Sequence, residues 1–135
     1  MRMSLPLLVA GALMLSTGVA QAKTDPEARI AKMIEGRTAG APVNCIQQHQ
    51  INSTQVIDRT AIVYKMNNGT IYVNRPDSGA KFLNRSDVLV TDTHSPQLCN
   101  IDIVRLVDSG TRMPNGSVGL GQFVPYPRPP RSAVR

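Results

Sequence analysis

From Val43 to Val124 apolar residues recur at every second position, in short runs rich in Val, Ile, Thr and Tyr that are separated by Gly, Pro, Asn and Asp. A period of two is the mark of strands that turn one face to a core. The runs predict strands near 43–47, 54–57, 60–66, 70–74, 87–93, 101–107 and 118–124. Asn68-Gly69 predicts a tight hairpin with both residues at positive φ. Asp58-Arg59 predicts a second turn, its carboxylate accepting backbone N–H bonds. The two turns join three strands into an antiparallel meander. Irregular loops are expected over 75–80, 95–97 and 108–116, where Pro, Gly, Asp, Ser and Asn collect. No helical stretch separates the strands, which excludes a crossover fold. The class is all-β: a small antiparallel sandwich or partly open barrel of about seven short strands, over 43–125.

Ahead of the strands the period changes. Thr24-Asp25-Pro26-Glu27 supplies a capping side chain, an early Pro and a first-turn acid, and Ile30, Met33 and Ile34 fall on one stripe before Gly36. This predicts a short amphipathic helix over about 26–35. Arg37-Thr38-Ala39-Gly40-Ala41-Pro42 reads as a linker, so 23–42 form a helix and linker. Prolines 125, 127, 129 and 130 predict an extended basic tail over 126–135. At the start, Arg2, an apolar stretch from Leu5 to Val19 and then Ala20-Gln21-Ala22 form the pattern of a secretory signal peptide over 1–22. Pro6, Ser16, Thr17 and Gly18 interrupt that stretch, which barely reaches the roughly 20 apolar residues of a membrane span. The mature chain, from Lys23, has no other apolar run of spanning length. It is expected to be exported, periplasmic or extracellular.

Export changes the reading of Cys45 and Cys99, the only cysteines. An even pair in an oxidising compartment is most simply one disulfide, and neither Cys has a second Cys or a His at metal-ligand spacing. Other chemistry is sparse. There is no Gly-x-Ser-x-Gly elbow and no Cys–His grouping, so no catalytic residue and no cofactor is expected. Asp92 and His94 would share one face of a strand and could give two metal ligands, with His49 a distant third. A zinc site needs three or four, and a strand running out into water is the plainer reading. Gly119 and Gly121 would alternate on one face of the last strand, leaving room for a bulge or for a large neighbour such as Phe82, Tyr64 or Tyr72. Aromatic residues make up 4% of the chain and Trp is absent, which disfavours a stacking platform for sugars or single-stranded nucleic acid.

Charge adds a direction. The net charge is +6, and ten of the eleven arginines lie in the mature chain. Arg128, Arg131 and Arg135 fall in the acid-free tail and are candidate anion-binding residues. Outside the cytoplasm the matching polyanions are anionic envelope lipid, lipopolysaccharide and acidic cell-wall polymer.

Cys45-Ile46, Val56-Ile57-Asp58-Arg59-Thr60-Ala61-Ile62-Val63-Tyr64, Tyr72-Val73-Asn74, Leu98-Cys99 with Ile101-Asp102, and Leu120-Gly121-Gln122-Phe123-Val124-Pro125 resemble a family of small exported bacterial proteins of unknown function. The resemblance spans roughly 42–126. Members typically carry further cysteines, where this chain has Asp77-Ser78-Gly79 and Arg112-Met113. It implies an exported β domain with Cys45 and Cys99 as a pair, and carries no activity. The functional expectation is a non-enzymatic envelope protein that contacts an anionic component or a periplasmic protein partner. A secreted or periplasmic enzyme inhibitor is the alternative, and a small metal-dependent hydrolase a more distant one. Specific nucleic-acid binding is not expected.

Overall fold

A computed structural model describes residues 24–131, so the proposed signal peptide and the last four residues lie outside the described part. One helix, α1 (Pro26–Met33), precedes nine strands: β1 (Cys45–Gln47), β2 (Ile51–Ile57), β3 (Ala61–Met66), β4 (Ile71–Asn74), β5 (Asp87–Thr91), β6 (Gln97–Cys99), β7 (Ile103–Asp108), β8 (Pro114–Gly119) and β9 (Phe123–Tyr126). They form antiparallel sheets in the orders β2-β3-β4-β9 and β5-β7-β8, and a two-stranded ribbon β1-β6. The fold is an all-β sandwich.

Period-two alternation explains its layers. On the larger sheet Val56, Ile62, Tyr64, Met66 and Phe123 turn inward against Val104, Leu106 and Val118 of the smaller one, while Ile46 and Leu98 of the ribbon close one end. The opposite face of the larger sheet carries Ile57, Ala61, Val63, Ile71 and Val73, roofed by Ile30 with Met33 and Ile34 of α1. The helix starts where its chemistry places it: the Asp25 carboxylate accepts the Glu27 N–H at 3.1 Å, Pro26 opens the first turn, and Gly36 lies beyond the end at φ 73°. Cys45 and Cys99 stand directly opposite in the ribbon and form a disulfide, with a sequence separation of 54.

Several sequence expectations need correction. At the β3–β4 turn only Gly69 is left-handed, at φ 88°, and Asn68 is not. The Gly69 N–H donates to Met66 O at 3.0 Å and the Met66 N–H to Thr70 O at 2.9 Å, a three-residue loop with a glycine bulge. The β2–β3 turn does fall at Asp58-Arg59, with the non-glycine Arg59 at φ 56°, and the Asp58 carboxylate does accept a backbone N–H, that of Arg85 at 2.7 Å from a distant loop. The strand expected over 118–124 is two strands, because Leu120-Gly121-Gln122 crosses between the sheets. Gly119 and Gly121 therefore do not share a strand. What approaches them is not an aromatic ring: a Cβ at Gly121 would strike Arg75 O, and one at Gly119 the Ser78 hydroxyl, so these glycines admit the backbone and short side chains of the 75–78 loop. Phe82 lies over Gly116 instead.

β6 escaped the pattern altogether, and β8 over its first four residues. β6 is too short to show a period, and β8 begins with the turn-like Pro114-Asn115-Gly116, tolerated at the start of an edge strand. The supposed linker is docked: the Gly40 N–H donates to Pro125 O at 2.8 Å, Val43 and Phe123 exchange N–H bonds at 2.9 Å, and Arg37 Nη1 donates to Gly69 O at 2.7 Å and Tyr126 O at 3.1 Å. Pro125 and Tyr126, expected to stay out of the sheet, lie in β9. Phe123 and Pro125 direct their main-chain groups at the docked segment, so the N–H that proline lacks falls outside the ladder with β4.

Candidate binding cleft

The order of the two sheets leaves β2 and β5 as edge strands, each paired on one side only. Between these edges opens a cleft of about 470 Å³. Its inner wall is apolar, from Val56, Leu89 and Leu98. Thr54, Gln55, Gln48, Thr91 and Asp87 add hydroxyl, amide and carboxylate groups, and Arg29 and Arg85 stand at one end. β5 contributes alternate residues, 87, 89 and 91, as one face of a strand must. β2 contributes three in succession, Thr54, Gln55 and Val56. Successive side chains point to opposite faces, so the cleft runs along the edge of β2 itself.

At the inner wall lies Tyr64, opposite Thr54 in register. Its ring is buried and tilted against Phe123, centroids 5.8 Å apart. Its hydroxyl is buried too and has no hydrogen-bond partner among the described residues. Burial pushes the phenol pKa up, so the group stays a neutral donor. Buried hydroxyls are nearly always satisfied, and this one, covered and without a partner, belongs to a residue that lines the cleft.

Each arginine is carried by a defined element. Arg29 precedes the buried Ile30 on α1. Arg85 follows the 3-10 turn Ala80–Phe82 in the loop that Asp58 anchors, and its guanidinium keeps only a loose, exposed contact with that carboxylate, Nε to Oδ2 at 3.8 Å. Both arginines also border a second hollow of about 650 Å³, to which Arg59 and Asp58 contribute. Asp87 is engaged by the Asn115 amide at 3.0 and 3.3 Å. The lining has no His and no Cys, and its one carboxylate is already held, so the arrangement can bind a ligand but offers no evident acid–base pair.

The residues singled out in the sequence lie elsewhere. Cys45–Cys99 ties the ribbon whose Leu98 and neighbouring Gln48 form one side of the cleft. Arg128 lays its guanidinium over Gly69, where a Cβ would come within 2.5 Å of Nε, beside the Arg37 bond to the same residue. Arg131 is exposed and Arg135 lies outside the described residues. β5 stops at Thr91, so Asp92 and His94 share no strand face; both are exposed, and His49 is on a separate 3-10 turn. Among the described residues no three of His, Cys, Asp and Glu gather to hold a metal ion, and no helix is long and apolar enough to cross a membrane.

Arg29, Tyr64 and Arg85 were not singled out as site residues from the sequence. The only trace was register: the Asp58-Arg59 turn sets the polar Thr54 against Tyr64. Comparison with family models, curated proteins and solved structures finds no match.

Proposed function

We propose that this chain is a non-enzymatic binding protein, exported to the bacterial envelope after loss of residues 1–22, whose cleft takes a ligand bearing an anionic group. The observation that carries this reading is a cleft lined by both Arg29 and Arg85 and by Tyr64, whose covered hydroxyl has no partner. An anionic oxygen would accept from the phenol and from the guanidinium forks, and charge-assisted bonds are the stronger kind. The N-terminal pattern, the disulfide and the resemblance to exported bacterial proteins support the compartment.

The exported protein, tagged and incubated with periplasmic and envelope extracts, should capture a component at low salt and release it at high salt. Arg29→Gln with Arg85→Gln should abolish that capture without changing the melting temperature by more than a few degrees. Salt-insensitive capture, or capture indifferent to both arginines, would overturn the reading. The tail is a second anion contact in this proposal. Arg128 rests on Gly69 but is exposed, so both it and Arg131 present their charge to solvent. Removing residues 131–135 should weaken binding to anionic vesicles while neutral vesicles stay unbound; equal binding by both forms would confine the anion site to the cleft.

A further inference from the structure

Resting on that reading, we infer that the anionic ligand is an extended peptide segment with an acidic side chain, which adds as a strand to the free edge of β2. Three observations converge on this edge. The first is the run of consecutive β2 residues in the cleft wall, which puts unpaired main-chain donors and acceptors at the spacing of another strand, about 3.3 Å per residue.

The second is that the edge has a receiving hollow on each side. On one side lies the cleft, lined by Tyr64, Leu89 and Leu98 and reached by Arg29 of α1 and by Arg85. Toward the helix lies a groove of about 350 Å³ formed by Met33, Val63 and Ile71, with Lys65 and Ser53 at its rim. Gln55 borders both. A strand laid on β2 sends alternate side chains to opposite faces, one set into each hollow. A lipid headgroup or a sugar has no such two-sided period.

The third observation is chemical. The cleft side is lined by two arginines, with the covered Tyr64 hydroxyl left without a partner in its wall, and so favours an acidic or amide side chain. The helix side is lined by aliphatic residues and favours an apolar one. The recognised segment therefore alternates acidic and apolar residues in extended conformation, and the basic chain as a whole steers it in.

A phage-displayed random decapeptide library panned on the exported protein tests this. Enriched sequences should alternate acidic and apolar residues. The enriched peptide, made synthetically and titrated into isotope-labelled protein, should shift the amide resonances of residues 53–56 most. N-methylation of every second amide should weaken binding about tenfold or more in the register that faces β2 and leave the other register nearly unaffected, since each lost main-chain bond is felt directly. Tyr64→Phe should weaken it several-fold without lowering the melting temperature. Binding indifferent to N-methylation in both registers, or shifts away from 53–56, would overturn strand addition. If the library yields no peptide while envelope extracts are still captured through Arg29 and Arg85, strand addition falls and the anion-binding function stands. If neither probe depends on those arginines, both fall.

Discussion

Strands β3 and β7 are each six residues long and sit in the middle of their sheets, yet they read quite differently. β3 buries Ala61, Ile62, Val63, Tyr64 and Met66 and exposes only Lys65. β7 alternates, with Val104 and Leu106 buried while Ile103 is 64% exposed. The difference lies in what covers the outer face. The larger sheet is roofed by α1, so both faces of β3 are interior and its sequence is nearly continuous in apolar residues. The smaller sheet has no such roof among the described residues, and Val88, Ile103 and Met113 stay in solvent. Apolar pattern therefore records how many faces are covered rather than strand propensity alone, and the edge strand β2 belongs to the sheet covered on both faces.

Deleting a shared core ring should give the largest effect. Phe123 is fully buried and meets both Tyr64 and Tyr72 edge-on or tilted. Phe123→Ala should cost about 3–5 kcal/mol in urea unfolding, whereas Ile103→Ala on the bare face should stay within about 0.5 kcal/mol. An equal cost at Ile103 would break the comparison, since the bare face would then be covered by association in solution, which sedimentation would detect. Next is the bridge. Replacing Cys45 and Cys99 by Ser should cost about 2–4 kcal/mol, with a melting temperature lower by roughly 10 °C or more. An unchanged melt would mean that Ile46 and Leu98 hold the ribbon between the sheets unaided.

A smaller effect, of opposite sign, is expected at Tyr64. Its hydroxyl is buried without a partner, so Tyr64→Phe should stabilise the free protein by about 1 kcal/mol while weakening ligand binding. A destabilised phenylalanine variant would assign the hydroxyl a structural bond and remove it from the cleft's chemistry. The smallest effect concerns the roof. Arg75 donates to Glu27 at 2.7 and 2.9 Å, tying α1 to the end of β4, and this hydrogen bond holds the Glu27 carboxyl below its ordinary value although slight burial opposes it. A depressed carboxyl stabilises the folded state above its unfolded pKa and loses that contribution as the pH falls through the folded value. Both side chains are more than half exposed, so the contribution is at most about 0.5 kcal/mol. Hydrogen exchange at α1 should quicken between about pH 6 and pH 3, relative to the trend across the smaller sheet, and Glu27→Gln should erase that difference.

The local parts of this fold were legible. The helix start at Asp25-Pro26, the meander through Asp58-Arg59 and Gly69, and the Cys45–Cys99 pair follow from capping, turn chemistry and compartment. What failed was tertiary. Gln97-Leu98-Cys99 is too short to carry a period and takes its register opposite Cys45. Arg37 to Val43 carry linker composition but bond to β9 and the Gly69 turn, a docking that no neighbour in sequence announces. The cleft was hidden for the same reason: Arg29 looks like an exposed helix charge, Arg85 like a loop charge and Tyr64 like one more core residue. Only the stacking of two sheets brings a helix, a loop and a central strand to one opening. The disulfide was readable as a bond but not as a side of that opening.

The chain has three tyrosines and no tryptophan. Tyr72 and Tyr126 lie half-buried on β4 and β9, away from the cleft lining, and Tyr64 alone of the three belongs to that lining. A phenol that begins donating to a carboxylate shifts its near-ultraviolet absorption and loses emission. If the proposed ligand fills the cleft, the part of the tyrosine signal that Tyr64→Phe removes should follow the titration without a label.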